Sequence, residues 1–246
     1  MFKKRYFLLI GFIGFFLLWP ITGASKKSNK KSDLLSKMNE CKKRIILLGA
    51  SVGRNWNISS FPDRINNSNY IFEYRHGGSA FDKSIELKDI LSRSENRPNA
   101  IFLKECAAYF PNDLEHYKRL MMHWVSECRK VNIVPIPTTV VPVTRLHAFK
   151  KWLIDIVKGR NPFKNGNPFK HRRNKSILEY NEWIRKYCKE QGLAVLDLEA
   201  AVIYSEENRF LKENLARIDG LHLNTKAYEK LDYIILPVLN AVSWGR

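Results

Sequence analysis

The sequence predicts an α/β protein of three layers, α/β/α, with helices on both sides of a central, mostly parallel sheet of five strands. Three observations lead there. Short apolar runs at residues 44–48, 70–74, 100–103, 132–143 and 193–198 read as strands. Helical spacing of apolar residues recurs between them, and strands alternating with helices imply a parallel sheet covered on both faces. The chain is 246 residues long with 45% hydrophobic residues, enough for one sizeable core.

The elements follow in order. The first strand, 44–48, runs into Gly49-Ala50-Ser51-Val52-Gly53, where small residues permit a sharp turn. The second, 70–74, ends in Arg75-His76-Gly77-Gly78-Ser79. A helix is expected over about 80–91, broken at Arg97-Pro98-Asn99 before the third strand. That strand leads into Lys104-Glu105-Cys106-Ala107-Ala108-Tyr109. Leu114, Tyr117, Leu120, Met121, Trp124 and Val125 share one face of a helix spanning 112–130. The fourth strand contains prolines, which predicts an irregular exit from the sheet. A helix over 176–190 carries Ile177, Tyr180, Ile184 and Tyr187 on one face and stops at Gly192. The fifth strand follows, and Asn224 caps a last helix reaching about Val242.

Charge is segmental. The formal net charge is +18, of which residues 1–31 supply +7 and residues 145–175 supply +9. The body between them is close to neutral, so the basic character points to attached electrostatic segments, and nothing resembles a base-reading nucleic-acid module. Lys3, Lys4 and Arg5 precede an uncharged, mostly apolar run at 6–24 that ends in Thr22-Gly23-Ala24. This reads as an export signal or as a retained membrane anchor, followed by a polar basic tether to residue 40. The body, 41–246, is then expected outside the cytoplasm: secreted, periplasmic or anchored. Cys41, Cys106, Cys128 and Cys188 have no Cys-x-x-Cys spacing, so a zinc site is not expected; paired and free thiols both remain open.

The chemistry centres on two distant stretches. Ser51 ends the first strand's turn, and a serine hydroxyl needs a base to become a nucleophile. Asp219-Gly220-Leu221-His222, immediately before the capped last helix, supplies a histidine and an acid three residues ahead of it. Asp219 would hold the His222 ring in the tautomer that accepts the Ser51 proton. The backbone N–H groups of Ser51 and Gly77 are suited to stabilise an oxyanion, because a glycine admits close approach.

In these residues the chain resembles the SGNH hydrolases, also called GDSL-type esterases and lipases. The resemblance covers most of residues 44–242. Gly49-Ala50-Ser51 is similar to the family's first block, Gly77 to the glycine of the second, and Asp219-Gly220-Leu221-His222 to the last. The resemblance implies a flavodoxin-like α/β/α fold, a Ser51–His222–Asp219 triad, ester substrates and no metal or organic cofactor. Gly-x-Ser-x-Gly also occurs in α/β-hydrolases, but there the acid lies far before the histidine. Two departures stand out. Ala50 replaces the family's aspartate, which is not the triad acid. The asparagine that the third block contributes to the oxyanion falls at an alanine in Glu105-Cys106-Ala107-Ala108-Tyr109. Arg75 or Asn55 is then expected to donate in its place, and Glu105 to take part in substrate binding.

The function expected is an exported serine esterase acting on O-acyl groups, O-acetyl above all, of an envelope glycan or lipid. An acyltransferase with the same triad and a non-catalytic envelope-binding protein are the alternatives. The segment 145–175 reads either as an amphipathic basic helix lying on a membrane or anionic envelope surface, or as a lid over the site.

Overall fold

The computed structural model describes residues 42–78, 80–161 and 172–244. The apolar run read as a signal or anchor, the tether, Cys41 and ten residues of the basic segment lie outside them. No described helix is long and apolar enough to cross a membrane.

Among the described residues four strands form the sheet: β1 (Lys43–Gly49), β2 (Tyr70–His76), β3 (Ala100–Leu103) and β4 (Val134–Pro137). Their order is β2-β1-β3-β4, and every pair is parallel. The helices are α1 (Ser51–Asn55), α2 (Phe61–Arg64), α3 (Ser84–Leu91), α4 (Leu114–Lys130), α5 (Arg145–Val157), α6 (Arg172–Glu190), α7 (Leu198–Val202) and α8 (Thr225–Ala241). Alternation along β1 divides the core. Ile45 and Leu47 face α8 through Leu231, Ile235 and Leu239. Ile46 and Leu48 face α3, α4 and α6 through Leu87, Trp124 and Ile184. The central strands β1 and β3 are therefore apolar on both faces, as a doubly covered parallel sheet requires, while the edge strand β2 carries Glu73 and Arg75 on one face. Asn224 starts α8 as expected, its side chain accepting the Ala227 N–H at 3.1 Å.

The fifth strand is the one architectural correction. Residues 193–198 reach the sheet through a single bridge, Thr138 to Leu196. The reason lies in β4. Val134 and Thr138 donate toward β3, to Asn99 O at 2.9 Å and Leu103 O at 3.1 Å. The alternate positions, 135 and 137, therefore point outward, and both are proline, with no N–H to offer a further strand. The chain also turns away at once: Asp197 accepts the Ala200 N–H to begin α7 and takes Arg185 in a pair at 2.7 Å.

Cys106, Cys128 and Cys188 are buried free thiols. Two hollows of about 310 Å³ lie at the amino ends of the strands, one beside Lys42 and Tyr70, the other beside Asn132 and Val134. The carboxyl ends, where parallel sheets place their ligands, carry the loops read above as functional.

Candidate active site

β1 delivers Ser51 directly. The strand ends at Gly49, Ala50 is the N-cap, and Ser51 is the first residue of α1. Small residues are needed here. A Cβ on Gly49 would stand 3.3 Å from Lys104 Cβ, and one on Gly53 would stand 3.0 Å from the Tyr74 ring. Tyr74 braces the turn, donating its hydroxyl proton toward Ala50 O at 3.2 Å.

His222 arrives from the opposite end of the chain on a tight turn before α8. Asp219 Oδ1 accepts the N–H groups of Leu221 and His222, each at 2.9 Å. Its Oδ2 lies 2.6 Å from His222 Nδ1, and His222 Nε2 lies 3.2 Å from Ser51 Oγ. With a carboxylate on Nδ1, the proton belongs on that nitrogen, which leaves Nε2 to accept from the serine hydroxyl. Gly220 adopts φ +66°, and a Cβ there would fall 2.4 Å from Thr144 Oγ1. The turn is clamped from the start of α5: Thr144 N–H donates to Gly220 O at 3.0 Å, and His147 Nδ1 sits 2.8 Å from Asp219 O.

Electrostatics of the turn have a measurable consequence. Partial burial pushes the Asp219 carboxyl up, but the His222 and Leu221 N–H groups and the His222 ring outweigh it and hold it at about 2. A depressed folded value means that the stabilisation is present above the ordinary aspartate value of about 3.9 and is lost as pH falls through about 2. Asp219→Asn is therefore expected to flatten the acid limb of a melting-temperature profile between those pH values. An unchanged slope would mean that the carboxylate is not held in this way.

The other expected groups are distributed differently. The Gly77 N–H is donated to Gly49 O at 2.8 Å, which extends the β1–β2 pairing by one residue and takes it away from an oxyanion. The missing Gly77 side chain instead makes room for Lys83, whose Cδ would lie 2.4 Å from a Cβ there. Arg75 is not a donor to the site either. Its guanidinium is held by Asp89 at 2.8 Å and Glu73 at 3.7 Å, because residue 75 faces α3. Glu105 is not open to substrate: it is fully buried, with Oε2 2.6 Å from Lys83 Nζ. Asn55 stays near, one turn beyond Ser51 on the same face of α1. It is exposed and stands beside the Tyr228 hydroxyl without completing a hydrogen bond to it.

Several participants escaped the sequence reading. The loop after β3 contributes Cys106, whose buried Sγ lies 3.8 Å from Ser51 Oγ; residues 104–109 contain no amide side chain. Lys104 is also buried, donating to Glu105 O at 2.8 Å. Burial lowers the Lys104 ammonium to about 8 and raises the Glu105 carboxyl to about 7, the latter opposed by the two lysines. The signal available was the Lys104-Glu105 pair itself, placed where a buried strand meets a run of small residues.

No protein-family model matches this sequence, and no curated protein aligns with it significantly. Solved structures do share its fold. A protein named as an acylhydrolase from Bacteroides fragilis superposes with a TM-score of 0.58 at 17% identity, covering 88% of this chain and 98% of its own. A GDSL-like lipase from Bacteroides thetaiotaomicron gives 0.58 at 15% identity, covering 86% and 98%. A psychrotrophic esterase from a Pseudoalteromonas species, in a structure inhibited by monoethylphosphonate, gives 0.54 at 11% identity, covering 81% and 97%. The chain thus has the fold of the SGNH hydrolases, in a divergent form.

Proposed function

We propose that the protein is an SGNH-type serine esterase that works through an acyl-enzyme on Ser51. The observation that carries this reading is the relay of contacts from Asp219 through His222 to Ser51, at 2.6 and 3.2 Å. His222 Nε2 takes the hydroxyl proton as Ser51 Oγ attacks the ester carbonyl. Asp219 holds the ring and stabilises the imidazolium. His222 then protonates the departing alcohol, and a water molecule, deprotonated in turn by His222, releases the acid. The Ser51 N–H, in the first turn of α1 where no intrahelical acceptor exists, faces the developing oxyanion. Residues 104–109, next after β3, hold no asparagine to join it, and the lack of one such donor costs about 10²–10³ in rate. A slow esterase is the expected phenotype.

The substrate class we propose rests on the sequence. An export signal or anchor at 6–24 would put the body outside the cytoplasm, and the substrate proposed is an O-acyl group, O-acetyl above all, on an envelope glycan or lipid. Treating the purified protein with a fluorophosphonate tests the reading directly, and the monoethylphosphonate form of the Pseudoalteromonas esterase is the precedent. The expected result is a phosphonyl mass increment on the Ser51 peptide together with hydrolysis of p-nitrophenyl acetate. A folded protein that takes no label would instead be a non-catalytic binding protein. Labelling with acyl transfer to a sugar acceptor and little hydrolysis would make it an acyltransferase.

A further inference from the structure

The helix that clamps the Asp219 turn has its faces reversed. A surface helix normally turns its apolar stripe to the core and its charges to water. In α5 the fully buried residue is Ala148, while Leu146, Phe149, Leu153, Ile156 and Val157 are exposed, Val157 at 86%, and Ile154, also exposed, lies apart from them beyond Lys150. At about 100° per residue the first five share one continuous arc, bracketed by Arg145 on one side and Lys150 on the other. Phe149 stacks on Trp152 at 5.9 Å, so the arc is a formed surface. Lys151, Lys158 and Arg160 add charge beside it, and the lone acid, Asp155, is paired with Arg160 at 3.2 Å.

We propose that α5 docks on an anionic lipid surface, its apolar arc entering the headgroup boundary and its cations meeting the lipid phosphates. The combination decides the partner. A second copy of the chain would bring the same positive segment against itself, and like charges oppose that pairing. A nucleic acid would satisfy the lysines but leave the apolar arc in water. An anionic bilayer satisfies both at once.

The position of α5 gives the docking a purpose. Its first turn holds the Asp219-Gly220 backbone through Thr144 and His147, and a cleft of about 200 Å³ between them is lined by His147, Lys150, Arg217 and Asp219. A docked α5 therefore brings the carboxyl ends of the strands, with Ser51, to the lipid surface. That the surface presents substrate rests on the esterase reading; the docking itself does not.

The test uses the full chain with phosphatidylcholine vesicles, with and without phosphatidylglycerol, and reads hydrogen exchange of the α5 amides. The local readout separates α5 from any membrane contact made by the N-terminus. Several-fold slower exchange in α5 is expected with phosphatidylglycerol vesicles and not with pure phosphatidylcholine. Phe149→Ser with Leu153→Ser, and separately Lys158→Glu with Arg160→Glu, should each abolish that protection. All of these side chains point outward, so turnover of water-soluble p-nitrophenyl acetate should not change. Absent protection on anionic vesicles, or equal protection on neutral ones, overturns the proposal. So does protection that appears without vesicles and grows with protein concentration, which would assign the face to a second copy. Protection of α5 in a protein that never hydrolyses p-nitrophenyl acetate would sink the esterase reading alone.

Discussion

Replacing Ser51 with alanine is expected to remove on the order of 10³–10⁴ of the turnover of p-nitrophenyl acetate. The loss of one member of a complete serine triad costs on the order of 10⁶ in kcat. The missing asparagine alone starts the site about 10²–10³ lower, so it has correspondingly less to lose. His222→Gln should fall to the same floor, and the double variant no further, because nucleophile and base act as one unit. Stability offers no competing explanation. The Ser51 hydroxyl is only half-buried, with His222 and Cys106 as its neighbours, so its removal should leave the melting temperature nearly unchanged. Steady-state kinetics on the purified variants measure the effect. A Ser51→Ala protein that retains turnover within tenfold of the parent would refute the assigned nucleophile.

That Ser51, Asp219 and His222 meet was legible because each sits at a boundary the sequence marks. An apolar run stops at Gly49, and an Asn cap opens the last helix two residues after His222. Strand alternation then has only one edge at which to join them. The oxyanion side was not legible for a different reason. A glycine announces that something approaches closely but not what: at Gly77 the approaching group is the Lys83 side chain, where substrate was expected. Arg75 and Glu105 look alike in sequence as polar residues at strand ends, yet one is held at the surface by Asp89 and the other is sealed under the sheet edge by Lys83. A buried charge pair of residues 22 apart leaves no periodic mark. The fifth strand failed on a detail of direction, since only the pairing of β4 with β3 reveals that both prolines face outward. The reversed face of α5 was visible in outline as an amphipathic basic helix; which side met the protein was not.

The buried pair itself yields the second large effect. Lys83→Met is expected to destabilise the protein by about 3–5 kcal/mol, the range for removing one partner of a buried ion pair. In a body of this size that corresponds to a fall in melting temperature of roughly 10 °C. The cost falls on Glu105, which is fully buried, has no hydrogen-bond partner for Oε1 among the described residues and would lose the ammonium on Oε2. Lys83 in turn lies within 6 Å of the rings of Phe81, Tyr109 and Trp124, at 5.5, 5.1 and 5.8 Å, and donates to Phe81 O at 3.0 Å. These contacts accommodate its charge after Glu105→Gln only in part. The double variant Lys83→Met/Glu105→Gln removes both charges and should recover most of the loss, a non-additivity that a double-mutant cycle reads directly. The pH profile supplies a second, independent reading. Burial raises the folded Glu105 carboxyl to about 7, against the pull of Lys83 and Lys104 and with the push of Asp82. An acid whose folded value is raised binds its proton more tightly when folded, so stability declines as pH rises from its ordinary value of about 4.3 to about 7. This is opposite in sign to the Asp219 contribution at lower pH. Glu105→Gln should abolish the decline while leaving the Asp219 limb intact. If Lys83→Met and the double variant are equally unstable, or if the decline persists in Glu105→Gln, the two side chains do not act as a coupled pair.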